Sequence, residues 1–145
     1  MKINIKKFDE LTTKELYEIL KLRAEIFVVE QKCIYQDLDD IDYKSTHIFL
    51  EEENEIIAYL RYFPKEDEKD TIQIGRVLTK RHKNGHGKKL LELTLKHLKE
   101  VNIKKVFIES QVHAIKFYEK FDFKITSDEY LEDGIPHVDM ILQIY

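Results

Sequence analysis

Ile74-Gly75-Arg76-Val77-Leu78-Thr79-Lys80-Arg81-His82-Lys83-Asn84-Gly85-His86-Gly87-Lys88-Lys89-Leu90 holds a strand, a basic bend and the start of a helix in one short stretch. Ile72–Thr79 is rich in residues that suit a strand. From about Gly87 to Val101, Leu91, Leu95 and Leu98 recur at helical spacing. Between them lie Gly85 and Gly87, two of the chain's four glycines. Glycine permits the left-handed backbone that points successive N–H groups into one concavity. The helix start adds unpaired N–H groups and a partial positive charge. Flanked by Lys80, Arg81, Lys83, Lys88 and Lys89, with no acid from 80 to 89, this bend suits a pyrophosphate. A lone G-x-G is equally an ordinary turn before a helix.

Two common phosphate motifs are excluded. A Walker loop needs an upstream glycine and a hydroxyl that Gly87-Lys88-Lys89 lacks, and a dinucleotide fingerprint needs a third glycine where Leu90 stands. Gly75, isolated inside the strand, marks either simple tolerance or a bulge. A bulge there would splay this strand from the next, Lys105–Ser110, and free its backbone groups for an amide-bearing ligand.

Outward from this stretch, Lys2–Phe8 alternates as a strand. Thr12 and Glu15 form a T-x-x-E capping box, ahead of Leu16, Ile19, Leu20, Ile26 and Phe27 at helical spacing. Thr46–Glu51 and Ile56–Phe63 read as strands joined by a tight hairpin at Asn54, and His113–Phe121 as a short helix. Two strands, near Lys124–Leu131 and Val138–Tyr145, close the chain. The order β-α-β-β-β-α-β-α-β-β predicts one α/β domain over residues 1–145, with a mixed sheet that is locally parallel near its middle.

Apolar residues at 43% and charged residues at 36% describe a globular chain. No apolar run spans a bilayer, and one cysteine, Cys33, suits a reducing compartment, so the expected location is the cytoplasm, away from membranes. A net charge of −4 and a short basic segment argue against nucleic acid. Glu30 to Asp42 carries five acids against Lys32 alone, a segment that suits cations or is simply a solvated surface.

The strand, the basic G-x-G bend and Ala114-Ile115-Lys116-Phe117-Tyr118-Glu119-Lys120-Phe121-Asp122-Phe123 together resemble the GNAT (Gcn5-related) acetyltransferases. Phe27-Val28-Val29-Glu30-Gln31, Tyr35-Gln36-Asp37, Ile74-Gly75-Arg76-Val77 and Glu132-Asp133-Gly134-Ile135-Pro136-His137 resemble the ElaA-like branch, in matching order over nearly the whole chain. The resemblance implies the acyl-CoA N-acyltransferase fold: a mostly antiparallel sheet, splayed between two central parallel strands and flanked by helices. It implies direct transfer of acetyl from acetyl-CoA to a primary amine, with no metal. Val77, Leu78 and Thr79 would then pair with the pantetheine arm, and His82, Lys83, Asn84, Gly85, His86, Gly87 and Lys88 would hold the pyrophosphate. Tyr118 would be the general acid for the departing thiolate, and a strand N–H near Val77 would stabilise the oxyanion.

Two departures stand out. His82 replaces the usual Gln or Arg, and Asp122 the usual glycine before Phe123. The first leaves open a non-catalytic acyl-CoA sensor of the same fold.

The acceptor amine must lose a proton, for which Glu109, Glu30, His47 and His137 are candidates beside a water relay. Glu30, Gln36, Asp37, His47 and His137 form the expected acceptor side, where the acidic Asp37–Asp42 loop would attract a small cationic amine. His82 and His86 lack a third metal ligand, and Cys33 lacks an assignable partner histidine, so neither metal nor cysteine chemistry is expected. The sequence leaves monomer and homodimer open.

Overall fold

Lys2–Lys7 forms β1, and Thr12 then starts helix α1, Thr13–Arg23, in the computed structural model, which describes residues 1–81 and 84–144. The capping box is formed: Glu15 N donates to Thr12 Oγ1 at 3.0 Å, and Thr12 N donates to Glu15 Oε1 at 2.9 Å. The helix was expected to run through Phe27, but beyond Arg23 it widens into a π-helical segment, Ala24–Glu30. The wider turns bring Phe27 into the core and leave Val29 and Glu30 outside.

Four antiparallel strands follow one another in space: β1, β2 (Thr46–Glu52), β3 (Glu55–Pro64) and β4 (Thr71–Thr79). Glu53 and Asn54 both have positive φ, 52° and 63°, as a two-residue hairpin turn matched to strand twist requires. Helix α2, His86–Glu100, then crosses over so that β5 (Lys105–Gln111) lies parallel to β4. Helix α3 is Ile115–Glu119, and β8 (Ile135–Gln143) pairs antiparallel with β5.

The expected strand from Lys124 to Leu131 is two short strands, β6 (Lys124–Ile125) and β7 (Tyr130–Glu132), both paired with β8. The ladder breaks between them because Ser127 Oγ, not a backbone carbonyl, accepts from Asp139 N at 2.9 Å. β8 starts at Ile135, earlier than expected, because Asp133 and Gly134 both turn left-handed and fold β7 back onto it.

One face of the sheet packs Ile48, Leu50, Leu60, Ile74, Val106, Ile108 and Met140 against Leu90, Leu91 and Leu98 of α2 and Tyr118 of α3. The other sets Phe49, Tyr59 and Leu78 under Ile19 and Phe27. Among the described residues no helix is long and apolar enough to cross a membrane.

Candidate functional site

β4 and β5 pair only over Thr71–Ile74 against Lys105–Ile108. Beyond that point Gly75–Thr79 keeps its antiparallel partner β3 but has none on β5, so the two central strands part. The cause lies in β4. Opposite β3 the register steps from Arg61↔Gly75 to Tyr59↔Leu78, which leaves one extra residue on β4. The bulge was expected at Gly75, but the left-handed residue is its neighbour, Arg76, at φ 53°. Val77, Leu78 and Thr79 thus sit on the β4 side of the opening.

Thr79 leads towards the first turn of α2. Gly85 takes φ 80° as the residue before the helix, a conformation that L side chains rarely adopt. Asn84 Oδ1 accepts from His86 N at 3.3 Å, and the first helical bond runs from Lys89 N to Gly85 O at 3.1 Å. The amides of Gly87 and Lys88 therefore precede the helical ladder and are offered at the helix end. Gly87 serves packing: a Cβ there would stand 3.4 Å from Thr79 Cγ2 and 3.6 Å from the Phe117 ring. That contact joins β4, α2 and α3 at the open end of the sheet. His82 and Lys83, expected to help hold the pyrophosphate, lie outside the described residues.

Tyr118 is buried on α3, its ring edge-on to Phe117 and Phe123. Among the described residues its hydroxyl has no hydrogen-bond partner, and burial pushes the phenol's pKa up, so it stays protonated at neutral pH.

Residues 12–144 match the family model described as an acetyltransferase (GNAT) domain. Protein ElaA of Escherichia coli is 36% identical over 93% of this chain and 92% of its own. The UPF0039 protein C11D3.02c of Schizosaccharomyces pombe is 44% identical over 96% and 95%. The chain belongs to the GNAT acetyltransferase family, in its ElaA-like branch. Its fold is that of the GNAT acyl-CoA N-acyltransferases. The crystal structure of Escherichia coli ElaA superposes with a TM-score of 0.88 at 33% identity, covering 97% of each chain. That of an acyl-CoA N-acyltransferase from Pseudomonas aeruginosa gives 0.89 at 33% identity, over 97% of this chain and 99% of that one.

In this GNAT chain the residues expected on the acceptor side have separate fates. His47 is 1% exposed, with Nδ1 2.7 Å from Tyr59 Oη and Nε2 3.0 Å from Asp42 O. Burial lowers its pKa, and with both nitrogens engaged it is not open to an acceptor or a proton. Asp37, too, is occupied: Oδ2 accepts from Arg23 Nε at 2.9 Å and Oδ1 from Arg76 Nε at 2.7 Å. Asp37, like Asp39 and Asp42 of the same loop, therefore neutralises the protein's own arginines, and the loop draws a cation less strongly than its count of acids suggests. Gln36 is exposed and accepts from Leu38 N, and Glu30 is exposed at the end of the π-helical segment.

Glu109 and His137 both lie towards the far end of the β5–β8 pair, two register positions apart. Glu109 is exposed and accepts from Gln73 Nε2 of β4 at 3.2 Å. His137 lies opposite Gln111, donates from Nδ1 to Ile135 O at 2.7 Å, and stacks on Tyr130. Glu132, not singled out from sequence, joins them: His137 Nε2 is 3.8 Å from its Oε2. Burial first, then the neighbouring Glu109 carboxylate, raises the pKa of Glu132. Gln31 and Gln111 exchange amide hydrogen bonds at 3.2 and 3.3 Å, tying the π-helical side to the end of β5.

The largest feature unread in the sequence is ionic. Arg23 and Arg61, 0% and 2% exposed, share Asp42 Oδ1 at 2.6 and 2.9 Å. Arg61 also takes both oxygens of Asp39, at 2.8 and 2.6 Å. Burial opposes ionisation of Asp39, but the Arg61 bonds win and hold its pKa at about 2. The clue was available: four arginines against twenty lysines, three of them in this cluster.

Proposed function

We propose that this chain transfers the acetyl group of acetyl-CoA directly to the primary amine of a small, cationic molecule in the cytoplasm. The observation that carries the reading is the parting of β4 from β5 beside a helix start capped by left-handed Gly85. A pantetheine arm is an extended diamide, and the unpaired side of Val77–Thr79 offers it a strand's backbone groups. Gly85, with the amides of Gly87 and Lys88, Asn84, His86 and the Lys88 cation, takes the pyrophosphate.

With the thioester held in the opening, the amine nitrogen attacks the carbonyl carbon. The oxygen takes up the electron pair, steadied by a β4 N–H near Val77. Collapse re-forms the carbonyl and breaks the C–S bond, and Tyr118 gives its proton to the departing sulfur. The departing thiolate, whose conjugate acid titrates near pH 8.5, is eased by a hydrogen bond from a phenol that is still protonated at neutral pH. The proton lost by the amine passes to Glu109, directly or through water, with Glu132 beside it. Glu30, Gln36 and His137 complete the acceptor side, where the carboxylates favour a cationic substrate.

The test is thiol release from acetyl-CoA across a panel of amines. Release is expected to require both substrates, and Tyr118→Phe is expected to lower kcat about 100-fold or more with the acetyl-CoA KM little changed. Tight acetyl-CoA binding with no turnover on any amine would leave a sensor instead.

A further inference from the structure

A left-handed non-glycine residue in the middle of a strand needs something to hold it. Arg76 is that residue in β4, at φ 53°, and it stands where pairing with β5 has just ended. An L side chain disfavours this conformation roughly fivefold to thirtyfold. Left alone, β4 would favour the regular extended form and lose the bulge that directs Val77–Thr79 away from β5.

The side chain supplies the hold. Arg76 Nε donates to Asp37 Oδ1 at 2.7 Å, and Nη2 donates to Asp37 O at 3.0 Å and Asp39 Oδ2 at 3.3 Å. Asp37 is itself fixed, 7% exposed, with Arg23 Nε on its other oxygen at 2.9 Å and Arg23 Nη2 on its carbonyl at 3.2 Å. Arg23 is rooted in α1 and fully buried. From the neighbouring strand, Arg61 grips Asp39 and lies against the bulge, its Nε 3.9 Å from where a Gly75 Cβ would stand. The grip is thus anchored in a helix, the acidic loop through its buried Asp37, and β3, none of which belongs to the opening.

We propose that Arg76 is a positioning residue: drawn by Asp37 into the left-handed conformation, it keeps β4 bulged and the acyl-CoA opening parted before any ligand arrives. The assignment rests on the acyl-CoA reading above and adds to it the device that preorganises the site. Binding to a fractionally open site is weakened by the open fraction, so loosening the grip costs affinity and leaves kcat for bound substrate nearly intact.

Glycine separates this from a contact role. Arg76→Ala and Arg76→Gly lose the same charge and the same bonds, but glycine takes positive φ freely. Calorimetric titration with acetyl-CoA is expected to show Arg76→Ala binding about tenfold more weakly than the unsubstituted protein, and Arg76→Gly within about threefold of it. The same split is expected in the acetyl-CoA KM, with kcat held. Melting temperatures are measured alongside. An Ala variant that unfolds where the Gly variant does not supports the same assignment. Equal loss in both variants, in affinity or in folding, overturns it, as does unchanged affinity in Arg76→Ala. No binding of acetyl-CoA by the unsubstituted protein is a different failure, since it removes the acyl-CoA reading and this inference with it.

Discussion

Tyr118 faces two opposed demands. Its ring belongs to the core between Phe117 and Phe123, whereas its hydroxyl lacks a hydrogen-bond partner among the described residues. The hydroxyl itself is not fully buried, so it keeps access to water and its removal costs the fold little. Tyr118→Phe is therefore expected to leave stability within about 1 kcal/mol of the unsubstituted protein, while turnover falls. Urea denaturation checks this, and a clear loss of stability would mean that the hydroxyl is satisfied and structural. The sequence marked Tyr118 through its neighbours in the Phe117–Phe123 motif. It marked Glu109 through its place at a strand end, and it held Glu132 only inside a family-like stretch with no role attached, since its carboxyl comes near only when β7 folds back along β8. His47 read as a possible base and is a core side chain, because hydrogen-bond partners at Tyr59 and Asp42 are invisible to spacing.

At the scale of elements, local chemistry was legible wherever the partners were local. Thr12 and Glu15 cap α1 from three residues apart, and Gly85 does what its position before a helix suggests. Gly85→Ala is expected to cost about 1 kcal/mol, since alanine must adopt φ 80° with no steric gain, and to weaken acetyl-CoA binding by shifting the helix start. Chemical denaturation and titration of the variant test both halves. Gly75 shows the opposite case. A glycine in a strand is the natural place to expect a bulge, but the left-handed residue is Arg76, held there by Asp37, which stands far earlier in the chain. Likewise the single strand expected over Lys124–Leu131 is divided by Ser127, whose hydroxyl takes the place of a ladder carbonyl.

Across the whole molecule the arginine–aspartate cluster ties α1, the acidic loop, β3 and β4 into one unit and sets the response to acid. His47 has a folded pKa below its ordinary 6.5, and Asp39 and Asp42 have theirs below the ordinary 3.8, with Asp39 at about 2. Each group binds its proton less tightly when folded, so each contributes stability at neutral pH that is lost on acidification. Stability is expected to fall first as pH drops through 6.5, from His47 and from His97, whose pKa burial also lowers, and again from about 3.8 towards 2, from the two carboxylates. Urea midpoints measured across this range should show both stages, and His47→Gln should show a smaller first stage, the remainder coming from His97. A flat profile between pH 7 and 5 would contradict the burial of a neutral His47. By itself the sequence determined most of the order of elements, the capped start of α1, the glycine turn before α2 and the family, because these are set by neighbours along the chain. Tertiary structure alone decided which acids are already spent on arginines, where β4 bulges and which carboxylates gather at the far end of β5 and β8. Those depend on charges brought together from distant segments, where the energy of a pair is fixed by burial and geometry and not by spacing.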